Sequence, residues 1–113
     1  MKKKNNTLLA NIIQALEDKK ALEIVTLDVG QIVSYTDYLV LCSGTSSTHV
    51  SSIVASLRDG FPKGEGPIYT NGSKDDSWWI LDFVDVVVHV FKEDARRFYN
   101  LENLLGDSIR VEV

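Results

Sequence analysis

The sequence has little of what marks secreted or membrane-spanning proteins. Cys42 is the single cysteine in 113 residues, which excludes an internal disulfide and fits a reducing compartment. No apolar run approaches the roughly 20 residues that span a bilayer. The run "TLLANIIQAL" after the basic start is interrupted by Asn11 and Gln14 and has no small-residue cleavage site, so we do not interpret it as a signal peptide. These absences predict a soluble, cytoplasmic protein without membrane contact.

Positive charge is also scarce. The chain has 12 lysines and arginines against 16 aspartates and glutamates, for a net charge of −4 at pH 7. Attraction to nucleic-acid phosphates is therefore not expected to drive its binding, and we predict no DNA partner. Apolar residues make up 44% and charged residues 25%, as in soluble globular chains. We predict a flexible polar N-terminus over residues 1–6 and a single α/β domain over residues 7–113.

Hydrophobic periodicity divides the chain into helices and strands. Helical spacing predicts a helix over 7–19, a second from 45–47 to near Gly60, and a last one from Glu93 to near Gly106. Apolar and β-branched runs predict strands at 23–29, 37–43, 67–71, 77–83 and 85–91. The order αββαβββα indicates an α/β fold with a mixed sheet of about five strands and three helices. With so few helices, one sheet face is expected to be covered incompletely and to leave apolar surface for a partner.

The segment "DSWWILDFVDVVVHVF" at 76–91 sets acidic side chains into an apolar run. Asp82 and Asp85 could hold Mg²⁺ for nucleotidyl transfer. A spacing of three, however, places them on opposite faces of a strand unless a turn lies between them. We therefore favour two aspartates that frame a hairpin turn at Phe83 and Val84.

The same segment contains two tryptophans and a histidine. Trp78 and Trp79 must point to opposite sheet faces, with Asp82 on the face of Trp78, so one tryptophan can pack in the core while the other serves as an interface anchor. Periodicity leaves open which tryptophan does which. His89 shares a face with Phe91, and a lone imidazole there is more often a hydrogen-bonded core residue than a ligand or base.

Other candidate chemistry is weak. "SGTSS" at 43–47 lies between a strand and a helix and could bind phosphate through backbone N–H groups, but it lacks the P-loop and dinucleotide patterns, which favours helix capping. His49 could contact a partner from the first turn of that helix, and Cys42 is expected to behave as a small hydrophobe. We predict no catalytic, cofactor-binding or metal-binding residue. A nucleotidyltransferase-like, phosphate-handling enzyme is the alternative.

Four segments together resemble the Iojap family, the ribosomal silencing factor S proteins. They are "LDV" at 27–29, "DYLVLCSGTSSTHV" at 37–50, "W" at 78 with "DFVDVVVHVF" at 82–91, and "RRFYNLENLLGD" at 96–107. The resemblance extends over about residues 8–109 in one register.

The resemblance implies a nucleotidyltransferase-like fold used without catalysis. Family members bind the large ribosomal subunit through its fourteenth protein and sterically block association with the small subunit, which represses translation under nutrient limitation. The resemblance also implies a homodimer when the protein is free. Such a factor is not an enzyme and has no cofactor.

Carried over residue by residue, the resemblance predicts a set of partner-binding side chains. They are Trp78, Asp82, Tyr99, Leu101 and Leu105. It also selects Trp78 as the outward anchor and leaves Trp79 to the core. Three positions depart from the family pattern, since Leu105 replaces a frequent tryptophan, Asn71 replaces a glutamate, and Val84 replaces a turn glycine. A β-branched residue resists positive φ, so Val84 argues against a positive-φ hairpin.

Overall fold

The computed structural model describes the backbone of residues 6–99 and 110–111. The helices are α1 (Asn6–Asp18), α2 (Ser47–Asp59) and α3 (Glu93–Tyr99). The strands are β1 (Leu22–Asp28), β2 (Tyr38–Gly44), β3 (Tyr69–Gly72), β4 (Trp78–Asp82), β5 (Val86–Lys92) and β6 (Arg110–Val111). The order αββαβββα is confirmed, and the predicted bounds that fall on described residues lie within two residues of those observed. The predicted helix end near Gly106 lies outside the described residues.

The strands form one mixed sheet in the order β3-β4-β5-β2-β1-β6. The central strands β2 and β5 are parallel, and the other neighbouring strands pair antiparallel. All seven residues of β2 are buried, as the continuous apolar run at 37–43 predicts for a strand covered on both faces. The sixth strand was not predicted. It has two residues, and its pairing with Thr26 and Leu27 of β1 is what identifies it.

Helices α1 and α2 cover one face of the sheet. Their apolar sides, spaced at three and four residues, pack on the inward-facing side chains of β2, β4 and β5. The helical contributors to this larger core are Leu9, Ile12, Leu16, Val50, Ile53, Val54 and Leu57. None of the described helices is both long enough and apolar enough to cross a membrane.

The opposite face carries a smaller core, centred on Leu27, Leu39, Leu41, Val87 and Phe91, with Trp78 and Ile80 partly buried at its margin. Ala95 of α3 packs on the same core. Among the residues that the structure describes, the two cores agree with the prediction that one sheet face is more thickly covered than the other. Surface is left on the second face at β4, where Trp78, Ile80 and Asp82 are all partly exposed.

Arg96 attaches α3 to the second face. It is 6% exposed, and its Nη1 donates to the backbone oxygen of Glu23 at 2.6 Å and to Ser43 Oγ at 3.0 Å. Glu23 has φ +49° and lies where the register between β1 and β2 shifts. Arg97, on the same helix, is exposed, whereas Arg96 is buried because its acceptors lie in distant strands.

Candidate functional site

The two aspartates lie on either side of Phe83 and Val84 in the turn between β4 and β5. Asp82 Oδ1 accepts a hydrogen bond from the backbone N–H of Val84 at 2.8 Å. The backbone oxygen of Asp85 accepts from the N–H groups of Asp37 and Tyr38, both at 3.1 Å. Asp82 and Asp85 thus frame a hairpin, as favoured from the sequence. Within residues 6–99 and 110–111, no group of three or more His, Cys, Asp or Glu side chains could hold a metal ion.

Val84 has φ +77°, so the expectation of a hairpin without positive φ is wrong. The backbone N–H of Asp85 donates to the carbonyl of Phe83 at 3.0 Å, which closes a three-residue γ-turn with Val84 at its centre. The N–H of Phe83 also donates to the carbonyl of Val86 at 2.8 Å. The paired strands and the Asp82 cap therefore impose a conformation that the valine side chain disfavours.

Trp79 packs on the face covered by α1 and α2. Its indole lies against Gly72, the residue paired with it on β3, and a Cβ at Gly72 would overlap the ring. Its Nε1 donates to Asp76 Oδ1 at 2.9 Å. This tryptophan is therefore partly buried in the larger core.

Trp78 lies on the opposite face, within a cluster that we call the aromatic patch: Trp78, Ile80, His89 and Phe91. The cross-strand pairs are Trp78 with Phe91 and Ile80 with His89. The Trp78 and Phe91 ring centroids are 5.1 Å apart, and the His89 and Phe91 rings stack at 14° with centroids 6.2 Å apart. Phe91 is buried, whereas the other three side chains are partly exposed. The patch thus combines a rigid apolar base with accessible aromatic edges.

A hydrogen bond joins the two polar rings of the patch. Trp78 Nε1 donates to His89 Nδ1 at 3.0 Å. An indole N–H can only donate, so Nδ1 is unprotonated and the neutral imidazole carries its hydrogen on Nε2. Desolvation by burial lowers the pKa of His89 to about 4. The ring is therefore neutral at pH 7 and is hydrogen-bonded, in line with the structural role favoured from the sequence.

The predicted binding residues fall into two groups. Trp78 and Asp82 share one face of β4, two residues on either side of Ile80. Tyr99 is the last residue of α3, and its side chain lies outside the described part of the chain. Leu101 and Leu105 lie outside the described residues.

Sequence reasoning missed the partnership of Trp78 with His89. The sequence contains only part of the information needed to find this contact. Period-two alternation placed His89 on the face of Phe91, but a cross-strand contact also requires the register, which depends on the geometry of the turn.

The segment "SGTSS" caps α2. Ser46 Oγ accepts from the backbone N–H of His49 at 3.1 Å, as an N-cap side chain does. His49 Nδ1 accepts from the N–H of Thr45 at 2.9 Å, and its Nε2 donates to the carbonyl of Lys19 at 2.8 Å. Both ring nitrogens of His49 are thus engaged within the chain, which corrects the expectation that this side chain could serve a partner.

A cleft of about 430 Å³ lies beside this cap. Two basic side chains, Lys92 and Arg97, and two acidic ones, Glu93 and Asp94, line it. Their formal charges cancel, which does not favour a phosphate group. The observed contacts therefore favour helix capping by "SGTSS" over phosphate binding.

Cys42 is fully buried in β2. Desolvation raises the pKa of its thiol to about 12, and the positive charge of Arg96 opposes that rise only in part. The thiol is therefore an unreactive core group, as predicted.

Comparisons with known proteins agree over nearly the whole chain. A family model described as "Ribosomal silencing factor during starvation" matches residues 2–113. The chain is 36% identical over 110 residues to ribosomal silencing factor RsfS of Halalkalibacterium halodurans, covering 96% of this chain and 94% of that protein. It is 38% identical over 95 residues to RsfS of Bacillus subtilis, covering 83% and 80%. A crystal structure of a Chromobacterium violaceum protein superimposes with a TM-score of 0.84 at 28% identity, covering 89% of this chain and 85% of that one.

Proposed function

The chain belongs to the ribosomal silencing factor family, and on that premise we propose that it represses translation by binding the large ribosomal subunit and sterically blocking association with the small subunit. The contact is made through the fourteenth protein of the large subunit, and the repression operates under nutrient limitation. Such a factor acts by occupying a surface and catalyses no reaction.

The observation that carries this proposal is the aromatic patch beside Asp82. Partly exposed tryptophan on a rigid base is the type of side chain that anchors protein interfaces, since it offers a large contact area at low entropic cost. Over the described part of the chain, the patch lies on the sheet face with the smaller core. We propose that Trp78 and Asp82 contact the partner from β4, together with Tyr99, Leu101 and Leu105.

Three titratable groups in the candidate segments have structural roles. Asp82 caps the hairpin turn, His49 joins the end of α1 to the start of α2, and Cys42 is buried. This use of the groups supports a binding protein over an enzyme.

Subunit joining tests the proposal directly. Purified subunits are mixed with saturating protein and separated on a sucrose gradient, and we expect the protein to sediment with free large subunits while joining falls. The variant Trp78→Ala should bind more weakly by about 1–4 kcal/mol. Tyr35→Ala is the matched control, because Tyr35 is 63% exposed and lies outside the patch. Normal joining in the presence of saturating wild-type protein would refute the proposal.

We also propose that the free protein is a homodimer and that it is located in the cytoplasm. Each chain has a polar N-terminus at residues 1–6 and a single domain over residues 7–113. Light scattering coupled to size exclusion measures the mass directly. A mass near the 12.6 kDa of one chain at all concentrations would exclude the dimer.

A further inference from the structure

His89 lies at the centre of the aromatic patch. Its neighbour on β4 is Ile80 and its neighbour on β2 is Leu41. Trp78 pairs directly with Phe91, so the indole reaches diagonally across the two strands to meet the imidazole. The ring centroids of Trp78 and His89 are 5.9 Å apart. Diagonal neighbours at this range are within reach of aromatic side chains.

The hydrogen bond restricts the orientation of the indole. A partly exposed tryptophan can rotate about two side-chain torsions, and contact with Phe91 alone is compatible with either edge of the indole facing the strand. The 3.0 Å bond from Trp78 Nε1 to His89 Nδ1 selects the orientation in which the N–H edge faces β5. The opposite, apolar edge is then presented away from β5.

The acceptor itself is held in place. The imidazole of His89 lies at 14° to the buried ring of Phe91, with the centroids 6.2 Å apart, and this contact restrains the imidazole plane and the position of Nδ1. A side chain whose orientation is restrained by buried contacts restricts, through a hydrogen bond, the orientation of a more exposed neighbour. Phe91 thus lies beside both rings, with centroid distances of 5.1 Å to Trp78 and 6.2 Å to His89, and the hydrogen bond joins those two rings to each other.

We propose that His89 is a positioning residue for partner binding, which holds the Trp78 indole in its docking orientation by accepting the indole hydrogen through Nδ1. This inference rests on the proposed role of Trp78 as a contact residue. Pre-organisation of one side chain lowers the entropy lost on binding, so loss of the acceptor should weaken binding about 2- to 12-fold.

Two substitutions of His89 distinguish the effect of losing the hydrogen-bond acceptor from the effect of changing the side-chain shape. In His89→Asn, the amide oxygen takes the place of Nδ1 and can still accept the indole hydrogen. His89→Leu has the same branching without an acceptor. Leucine also suits a strand better than asparagine, so folding stability should rank these variants in the opposite order to binding.

The experiment combines nuclear magnetic resonance with large-subunit binding. The Nε1–H resonance of Trp78 is assigned by its loss in Trp78→Phe, which distinguishes it from the resonance of Trp79. We expect His89→Leu to shift the Trp78 resonance towards that of an unbonded indole and to weaken binding 2- to 12-fold. His89→Asn should retain both properties.

A double-mutant cycle tests whether His89 acts through Trp78. In the Trp78→Phe background, where no indole hydrogen exists, His89→Leu should cause no further loss of binding. Equal losses in both backgrounds, or equal weakening by His89→Asn and His89→Leu, would overturn the inference. Wild-type protein that fails to bind the large subunit would instead overturn the proposed function, and the inference with it.

Discussion

Replacement of Val84 by glycine should stabilise the turn between β4 and β5 relative to alanine. Val84 is held at φ +77° in a γ-turn closed by the hydrogen bond from Asp85 to Phe83. Any Cβ is unfavourable in this region of φ, whereas glycine occupies it readily. The comparison of glycine with alanine isolates this backbone effect, because both variants lose the valine side chain.

The magnitude follows from two opposing terms. Removing the Cβ from a left-handed conformation relieves about 1–2 kcal/mol. The greater freedom of glycine in the unfolded chain offsets about 0.5–1 kcal/mol of that gain. With the middle of each range, about 1.5 less about 0.75 kcal/mol, we expect Val84→Gly to exceed Val84→Ala in unfolding free energy by about 0.75 kcal/mol. Val84 is 50% exposed, so either variant loses only part of the burial energy of a valine.

Urea denaturation measures both variants and the wild type. The midpoint should be higher for Val84→Gly than for Val84→Ala, with an unchanged dependence of the unfolding free energy on urea. A Val84→Ala protein as stable as Val84→Gly would refute the strained turn, since it would mean that the Cβ is tolerated there at no cost.

Three further predictions concern His89, Cys42 and Gly72. The pKa of His89 is about 4 in the folded protein and 6.5 in the unfolded chain, so between these pH values the unfolded chain binds more protons. The unfolding free energy that is present above pH 6.5 should therefore fall by at most about 3 kcal/mol as the pH drops to 4. His89→Asn should lose this part of the pH dependence in denaturation measured across that range, and an identical slope would contradict the assignment. Cys42 should resist iodoacetamide at pH 8 in the native protein and react rapidly in denaturant, because burial raises its pKa to about 12; rapid native labelling, followed by mass spectrometry, would show an accessible thiol. Gly72→Ala should destabilise the fold by about 1–3 kcal/mol, since the new Cβ overlaps the Trp79 indole. Gly66→Ala is the control, because its Cβ meets only ordinary contacts, and thermal denaturation of both variants should show it to be nearly neutral.

The order of the elements was predictable from local patterns. The helical spacing of Val50, Ile53 and Leu57 and the continuous apolar run at 37–43 correspond to a buried helix face and a buried central strand. Both signals depend only on neighbouring residues, so they can be read without knowledge of the fold. Residue alternation likewise sufficed to place Trp78 and Trp79 on opposite faces.

The candidate site was predictable only in part. Trp78 and Asp82 were chosen by family resemblance, and the structure places both on one face of β4. The hydrogen bond to His89 was not predictable, because it crosses two strands whose register is determined by the turn.

The sequence by itself determined which segments become helices and strands and which of their faces are apolar, because propensity and periodicity are local properties. Tertiary structure alone decided the pairing of Trp78 with His89, the burial of Arg96 on the carbonyl of Glu23, and the addition of β6. It also overrode the local preference of Val84, since the hydrogen bonds of two paired strands and the Asp82 cap together outweigh the strain of one residue. These features depend on contacts between residues distant in sequence, whose geometry exists only after the chain has folded.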